Sequence, residues 1–152
     1  MSLESRPLFN LTLTLHPTIE LGRTPVGARR VFAVSGGTFA GDRLKGTVSP
    51  LIGSDLLLAR SDGTFQQDVR LLLMTDDDVP ILMTYRGIRR ASAEVDARLS
   101  QGEPVSASEY YLRTTPYFET ASENYGWING IVAVAKGGRV AGGVEYDIYE
   151  IL

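Results

Sequence analysis

The sequence predicts an all-β protein: one antiparallel β-barrel domain spanning residues 1–152, with about nine strands and one short helix. Three observations predict it. Apolar and polar residues alternate with period two through most of the chain, glycine, proline and aspartate punctuate it at short intervals, and a single stretch carries helical spacing.

Phe9, Leu11, Leu13 and Leu15 alternate with Asn10, Thr12, Thr14 and His16, which is the pattern of a strand with one buried face, and Pro17 ends it. A loop containing Gly22, Pro25 and Gly27 then leads to a strand near Arg30–Val34, which Gly36-Gly37 is expected to break. Thr38–Val48 reads as a strand kinked at Gly41. Pro50 and Gly53 mark a turn, and Asp55–Arg60 is the next strand. Ser61-Asp62-Gly63 is a hairpin signal, because Asp-Gly tolerates the positive φ of tight turns. Phe65–Thr75 returns, Asp76-Asp77-Asp78 forms a solvated turn rather than a metal site, and Pro80–Ile88 follows. Ser92–Leu99 is the helix: Ser92 caps it, and Val95 and Leu99 share a face. Gly102 and Pro104 stop it. Glu109–Tyr117, Trp127–Ala135 and Gly143–Leu152 are extended, with Gly137-Gly138 turning the chain. A barrel is favoured over a sandwich because closure removes exposed strand edges.

Composition narrows the function. The chain has no Cys and one His, which excludes disulfides, thiolate nucleophiles and Cys/His metal clusters; a carboxylate-only Mg or Ca site stays open, but there is no twelve-residue calcium loop, and no metal or cofactor is expected. A net charge of −3 argues against nucleic acid. No run approaches ~20 apolar residues, so no membrane partner is expected, and the N-terminus lacks a signal-peptide core, which gives a cytoplasmic expectation. Homo-oligomerisation stays open.

Chemistry concentrates in Tyr110–Trp127, which holds six of the thirteen aromatic residues, interleaved with Glu109, Arg113, Glu119 and Glu123. Tyr111 and Arg113 share a strand face, and a guanidinium fork beside a ring suits a carboxylate or phenolate; a structural ion pair with Asp68 or Glu119 is the alternative. Trp127 and Asn129, on one face of a predicted strand, would stack on and orient a small ligand or else pack in the core. Glu119 is a candidate general base if Phe118 or Trp127 raises its pKa, or else a carboxylate holding the loop. Asp68 and Arg70 share a face with Leu72 and Met74, opposite the fully apolar Val69, Leu71 and Leu73; that face looks either into the lumen or to solvent. Tyr85 is a candidate proton donor or a packed ring. Asp55 is expected to hold a loop, and His16 to sit on the surface.

Several segments together carry a family resemblance: Ile19-Glu20-Leu21-Gly22, Gly36-Gly37-Thr38-Phe39-Ala40-Gly41, Arg60-Ser61-Asp62-Gly63, Asp76-Asp77, Tyr111 through Thr120 and Tyr125-Gly126-Trp127-Ile128-Asn129-Gly130. The Arg-Thr-x-Pro-x-Phe-Glu-Thr pattern followed by x-Trp-x-Asn is the most specific. The chain resembles the bacterial and fungal domain of unknown function 3237 family, also called uncharacterised protein family 0311. The resemblance implies a lipocalin-like or calycin-like barrel and no particular reaction. Together these readings lead to an expected ligand-binding barrel for a small anionic or aromatic molecule. Cofactor-free acid–base catalysis of the isomerase, cyclase or lyase type would use Asp68, Glu119 and Tyr85, with Arg70, Tyr111, Arg113, Trp127 and Asn129 binding. A carrier module and a barrel with a filled core are the alternatives.

Overall fold

A computed structural model describes residues 2–152. Nine strands run β1 (Ser5–Leu15), β2 (Ile19–Thr24), β3 (Gly27–Ala40), β4 (Lys45–Ala59), β5 (Phe65–Thr75), β6 (Pro80–Arg90), β7 (Tyr111–Glu119), β8 (Ala133–Val140) and β9 (Gly143–Ile151). One helix, α1 (Ala93–Ser100), lies between β6 and β7, and a short 3-10 helix, Gly126–Gly130, precedes β8. The strands form one antiparallel sheet in the order β1-β9-β8-β7-β6-β5-β4-β3-β2, and a further pairing of β1 with β3 closes eight of them into a barrel. Strand β2 is the ninth, attached outside the closure to the first half of β3.

Closure demands close backbone approach on both sides of β1. A Cβ on Gly37, opposite Leu13, would lie 2.1 Å from the Thr12 carbonyl oxygen. A Cβ on Gly143, on the other flank, would lie 1.8 Å from that of Leu13. Side chains at either place would push β1 out of the sheet. The inward face of the barrel is then filled by Phe9, Leu11, Leu13, Phe39, Val69, Leu71, Leu73, Ile81, Met83, Phe118 and Ile148, all buried. Phe9 meets Phe39 at 5.4 Å and Phe118 at 5.8 Å between ring centroids.

The two ends differ. The far end carries the turns after β3, β5 and β7. There Glu150 accepts from Arg6 at 2.8 Å and pairs with Arg43, whose guanidinium lies 3.8 Å from the Trp127 ring centroid. These two arginines hold the Glu150 carboxyl below its ordinary range. The near end is crossed by α1, whose Val95 and Leu99 are buried, and whose N-cap Ser92 accepts from the Val95 N–H at 3.2 Å. The Asp62-Gly63 hairpin is formed, with Gly63 at φ 79°, and so is the aspartate turn after β5, with Asp78 at φ 62°.

Several readings of the sequence are corrected: Gly137-Gly138 does not turn the chain but lies inside β8, with the turn at residues 141–142, and Thr38–Val48 is not one strand kinked at Gly41 but the end of β3 and the start of β4. Gly36-Gly37 does not break a strand; β3 runs through it, and the chain reverses later, at residues 41–44. Likewise β4 runs through Pro50 and Gly53, where the register with β5 shifts between Val48 and Gly53. These residues bend long strands around the barrel, which is the other use of glycine and proline in a sheet. Ile19–Thr24, read as loop, is strand β2: its exposed Ile19 and Leu21 give no burial periodicity to detect.

Replacing Gly37 by Val is expected to destabilise the fold by about 3 kcal/mol, since the intruding atoms meet backbone and not a flexible side chain. Urea unfolding followed by far-ultraviolet circular dichroism measures it; a loss within ~0.5 kcal/mol would show that β1 closure tolerates the added volume.

Candidate functional site

Polar groups on the inward face gather toward the near end. The register places Asp55 opposite Val69 and Val69 opposite Tyr85, so Asp55 and Tyr85 share the interior with the apolar run of β5. Gln67, two residues before Val69, is also inward and buried, and Tyr146 enters from β9. Space for them comes from missing side chains. A Cβ on Gly87 would stand 2.5 Å from Gln67 Oε1, and a Cβ on Gly137 the same distance from Tyr146 Cε1.

These four side chains form a connected cluster. Gln67 Nε2 donates to the Tyr146 hydroxyl at 2.9 Å and, more weakly, to Asp55 Oδ2 at 3.4 Å. Asp55 Oδ1 accepts the Asp68 backbone N–H at 3.1 Å. The Tyr85 and Tyr146 rings pack edge-on, 5.5 Å apart. Gln67 Oε1 is the one buried side-chain polar atom without a hydrogen-bond partner among the described residues. An orphaned acceptor of this kind costs on the order of 1–3 kcal/mol, so it is a place where a ligand hydroxyl has something to gain.

The electrostatics follow from burial. Desolvation raises the Asp55 carboxyl from 3.8 to about 6, against the opposing hydrogen bonds from the Asp68 N–H and Gln67. The same desolvation raises the Tyr146 hydroxyl to about 12 and drives Tyr85 well above its ordinary value, so both phenols stay neutral donors at physiological pH. Asp55 keeps partial contact with solvent. The near end above the cluster carries cations and rings. Arg89 pairs with Asp96 of α1 and lies 5.1 Å from the Phe65 ring centroid and 5.6 Å from that of Tyr110, whose hydroxyl accepts the Arg139 N–H at 2.6 Å.

The residues predicted from sequence fall into separate places. Tyr85 is in the cluster. Asp68 and Arg70 face outward, 3.6 Å apart as an ion pair, because the apolar Val69 face takes the lumen. Tyr111 and Arg113 share a face as expected, but the outer one: Leu112, Thr114, Pro116 and Phe118 are the buried residues of β7. Arg113 donates to the Leu112 carbonyl at 2.9 Å and sits 4.9 Å from the Tyr111 ring centroid, paired with neither Asp68 nor Glu119. Glu119 is exposed at the far end of β7. Trp127 and Asn129 lie on the 3-10 helix and not on a strand. Trp127 covers Arg43, while Asn129 closes the loop, accepting the Thr120 N–H and donating to the Thr120 carbonyl, both at 2.9 Å. Both lie at the far end, away from the interior cluster. Asp55, read as a loop holder, and Gln67 and Tyr146, not singled out, complete the interior cluster. The available signal was parity: Gln67 is in phase with Val69, Leu71 and Leu73, and Tyr146 with Val144 and Ile148.

The family profile for proteins of unknown function, DUF3237, matches residues 3–151. The chain belongs to the DUF3237 family. The UPF0311 protein RPA1785 of Rhodopseudomonas palustris is 30% identical over 151 residues, covering 99% of this chain and 98% of its own length. Its crystal structure superposes with a TM-score of 0.94 over 100% of this chain and 99% of the other. A β-barrel-like protein from Acinetobacter baumannii AYE is 37% identical, with a TM-score of 0.86 over 100% and 98% of the two chains. A more distant relative, the hydroalkoxylation enzyme phnH of Penicillium herquei, is 29% identical over 127 residues, 83% of this chain and 68% of that one. The barrel predicted from sequence is thus the architecture of DUF3237 structures.

Because Asp55 is raised in the folded state, folding takes up a proton between the two pKa values. The cost of ionising Asp55 is absent below about pH 4, grows as pH rises toward 6 and is complete above it. The Asp55→Asn variant of this DUF3237 protein should therefore gain stability relative to the parent across that interval, by on the order of 2–3 kcal/mol. Denaturant midpoints at pH 4 and pH 7 measure it; a pH-independent difference would mean that Asp55 is not desolvated.

Proposed function

We propose that this protein binds a small, hydroxyl-bearing aromatic molecule at the near end of the barrel and carries out cofactor-free acid–base chemistry on it. The unpartnered Gln67 Oε1 beside a carboxylate held at about 6 is the observation that carries the reading. A carboxyl with that pKa populates both protonation states near neutrality, so it can give a proton and take one back. Gln67 Oε1 would accept from a second hydroxyl on the ligand and fix its orientation, leaving the reacting O–H free for Asp55. Tyr85 and Tyr146, held neutral by burial, would donate hydrogen bonds to an oxygen on which negative charge develops.

The fungal relative supports the reaction class. That relative is named a hydroalkoxylation enzyme; such a reaction adds an O–H across a carbon–carbon double bond with no net oxidation or reduction. In this barrel the protonated Asp55 would deliver its proton to the alkene carbon. The phenolic oxygen would form the C–O bond as its own proton passes to the Asp55 carboxylate, which restores the acid. The apolar filling of the barrel below the cluster, by Leu71, Leu73, Ile81 and Met83, favours this reading over a deep carrier cup.

An ortho-alkenyl phenol carrying a second hydroxyl is the test substrate. Cyclisation followed by chromatography should fall by at least ~100-fold in Asp55→Asn and by about tenfold in Tyr146→Phe, with a rate limb in the parent near pH 6. Binding of the phenol without turnover in the parent leaves a carrier. No binding to the parent, or full activity in Asp55→Asn, sinks the proposal.

A further inference from the structure

We infer that the outer face of the barrel carries a second site, independent of the interior cluster, for an aromatic anion that bridges strands β7 and β8. The seam between these strands has the fewest registered pairs of any in the barrel. Only two residue pairs are in register, Arg113 with Lys136 and Thr114 with Ala135. One of those two places like charges directly opposite each other on the outer face, an arrangement that destabilises a strand pair. Arg86, on the neighbouring strand and opposite Thr115, adds a third cation. No carboxylate lies within 4.0 Å of Arg86, Arg113 or Lys136 among the described residues. The two nearest by register are engaged elsewhere: Asp68, opposite Arg86, pairs with Arg70, and Asp147, opposite Lys136, accepts from Asn10 Nδ2 at 3.1 Å.

The seam is also hollow. A groove of about 710 Å³ runs over it, lined by these three cations, by Tyr111 and Tyr149 and by Gly87, Thr114 and Ala135. Rings flank the charges. Tyr111 is 41% exposed and receives the guanidiniums of Arg113 at 4.9 Å and Arg90 at 5.1 Å from its centroid. An arginine held against a ring face keeps its fork of donors pointed along the ring plane, where it meets a carboxylate or phosphate on a stacked ligand. The ligand class is therefore a planar aromatic ring carrying a carboxylate or phosphate. Its anion offsets the Arg113–Lys136 repulsion, and its ring stacks on Tyr111 or Tyr149. Binding at such a place joins β7 to β8 and stabilises the whole barrel by linkage.

Phenyl phosphate is the probe, with inorganic phosphate and sodium chloride at matched ionic strength as controls. Phenyl phosphate should raise the melting temperature of the full chain and bind at least about tenfold more tightly than inorganic phosphate. Arg113→Gln should weaken binding about tenfold or more, and Arg113→Lys should fall between, since it keeps the charge and loses the fork. Lys136→Gln should raise the melting temperature of the free protein while reducing the shift with ligand; a merely solvated lysine would do neither. Asp55→Asn should leave binding unchanged. Equal shifts from phenyl phosphate and sodium chloride, unchanged binding in both Arg113 variants, or a stability loss in Lys136→Gln would overturn the site. Equal affinity for inorganic phosphate would overturn the aromatic part of the assignment.

Discussion

Pairing of β1 with β3 turns an open sheet into a barrel, and the remaining features depend on it. Glycine at 37 and 143 lets β1 sit between its neighbours at backbone distance. Once the sheet is closed, each residue has one of two environments, a crowded interior or a solvated exterior, and parity decides which. The apolar series of β1, β5, β6 and β9 fills the interior. A polar residue in phase with that series must then find partners among a few other inward groups. Asp55, Gln67, Tyr85 and Tyr146 do this for one another, and the atom left over is Gln67 Oε1. The unusual acidity of Asp55 has the same origin, because closure takes away most of the water that would otherwise stabilise its charge.

The two ends of the barrel are built differently. At the far end Glu150, Arg6, Arg43 and Trp127 form a charged and aromatic closure, and Asn129 ties its loop to Thr120. The Trp127 and Asn129 part of the sequence pattern makes its contacts there. At the near end, α1 is tied to β6 by the Arg89–Asp96 pair, and Asp55 keeps partial exposure. A residue type that looks chemical in a linear reading, such as Trp or Asn beside a glutamate, can be wholly occupied with holding a loop.

Much of the fold was legible because its signals are local. The alternation in Phe9–Leu15 and Phe65–Thr75, the Asp62-Gly63 hairpin and the capped helix after Ser92 all appear in the structure. The errors fell where one residue type has two uses. Glycine ends strands and also bends them, and in β3 and β4 it bends them. The 3-10 turn at Gly126–Gly130 was hidden because Trp127 and Asn129, two apart, imitate strand parity. The site was legible only in part. Of the predicted residues, Tyr85 falls among the interior polar groups, and Tyr111 with Arg113 share a face, the outer one.

By itself the sequence determined the class of fold, the strand faces and the family, since each rests on neighbours a few residues apart. It could not decide which of two alternating faces looks inward on β5 and β7, or which distant polar residues meet. Asp55 and Gln67 are 12 residues apart, and Gln67 and Tyr146 are 79 apart. Their meeting depends on the shear of a closed sheet and on the two glycines that make room for them. The raised carboxyl, the unpartnered amide oxygen and the opposed cations of the β7–β8 seam are properties of that closure, because desolvation and charge proximity exist only once the strands are side by side.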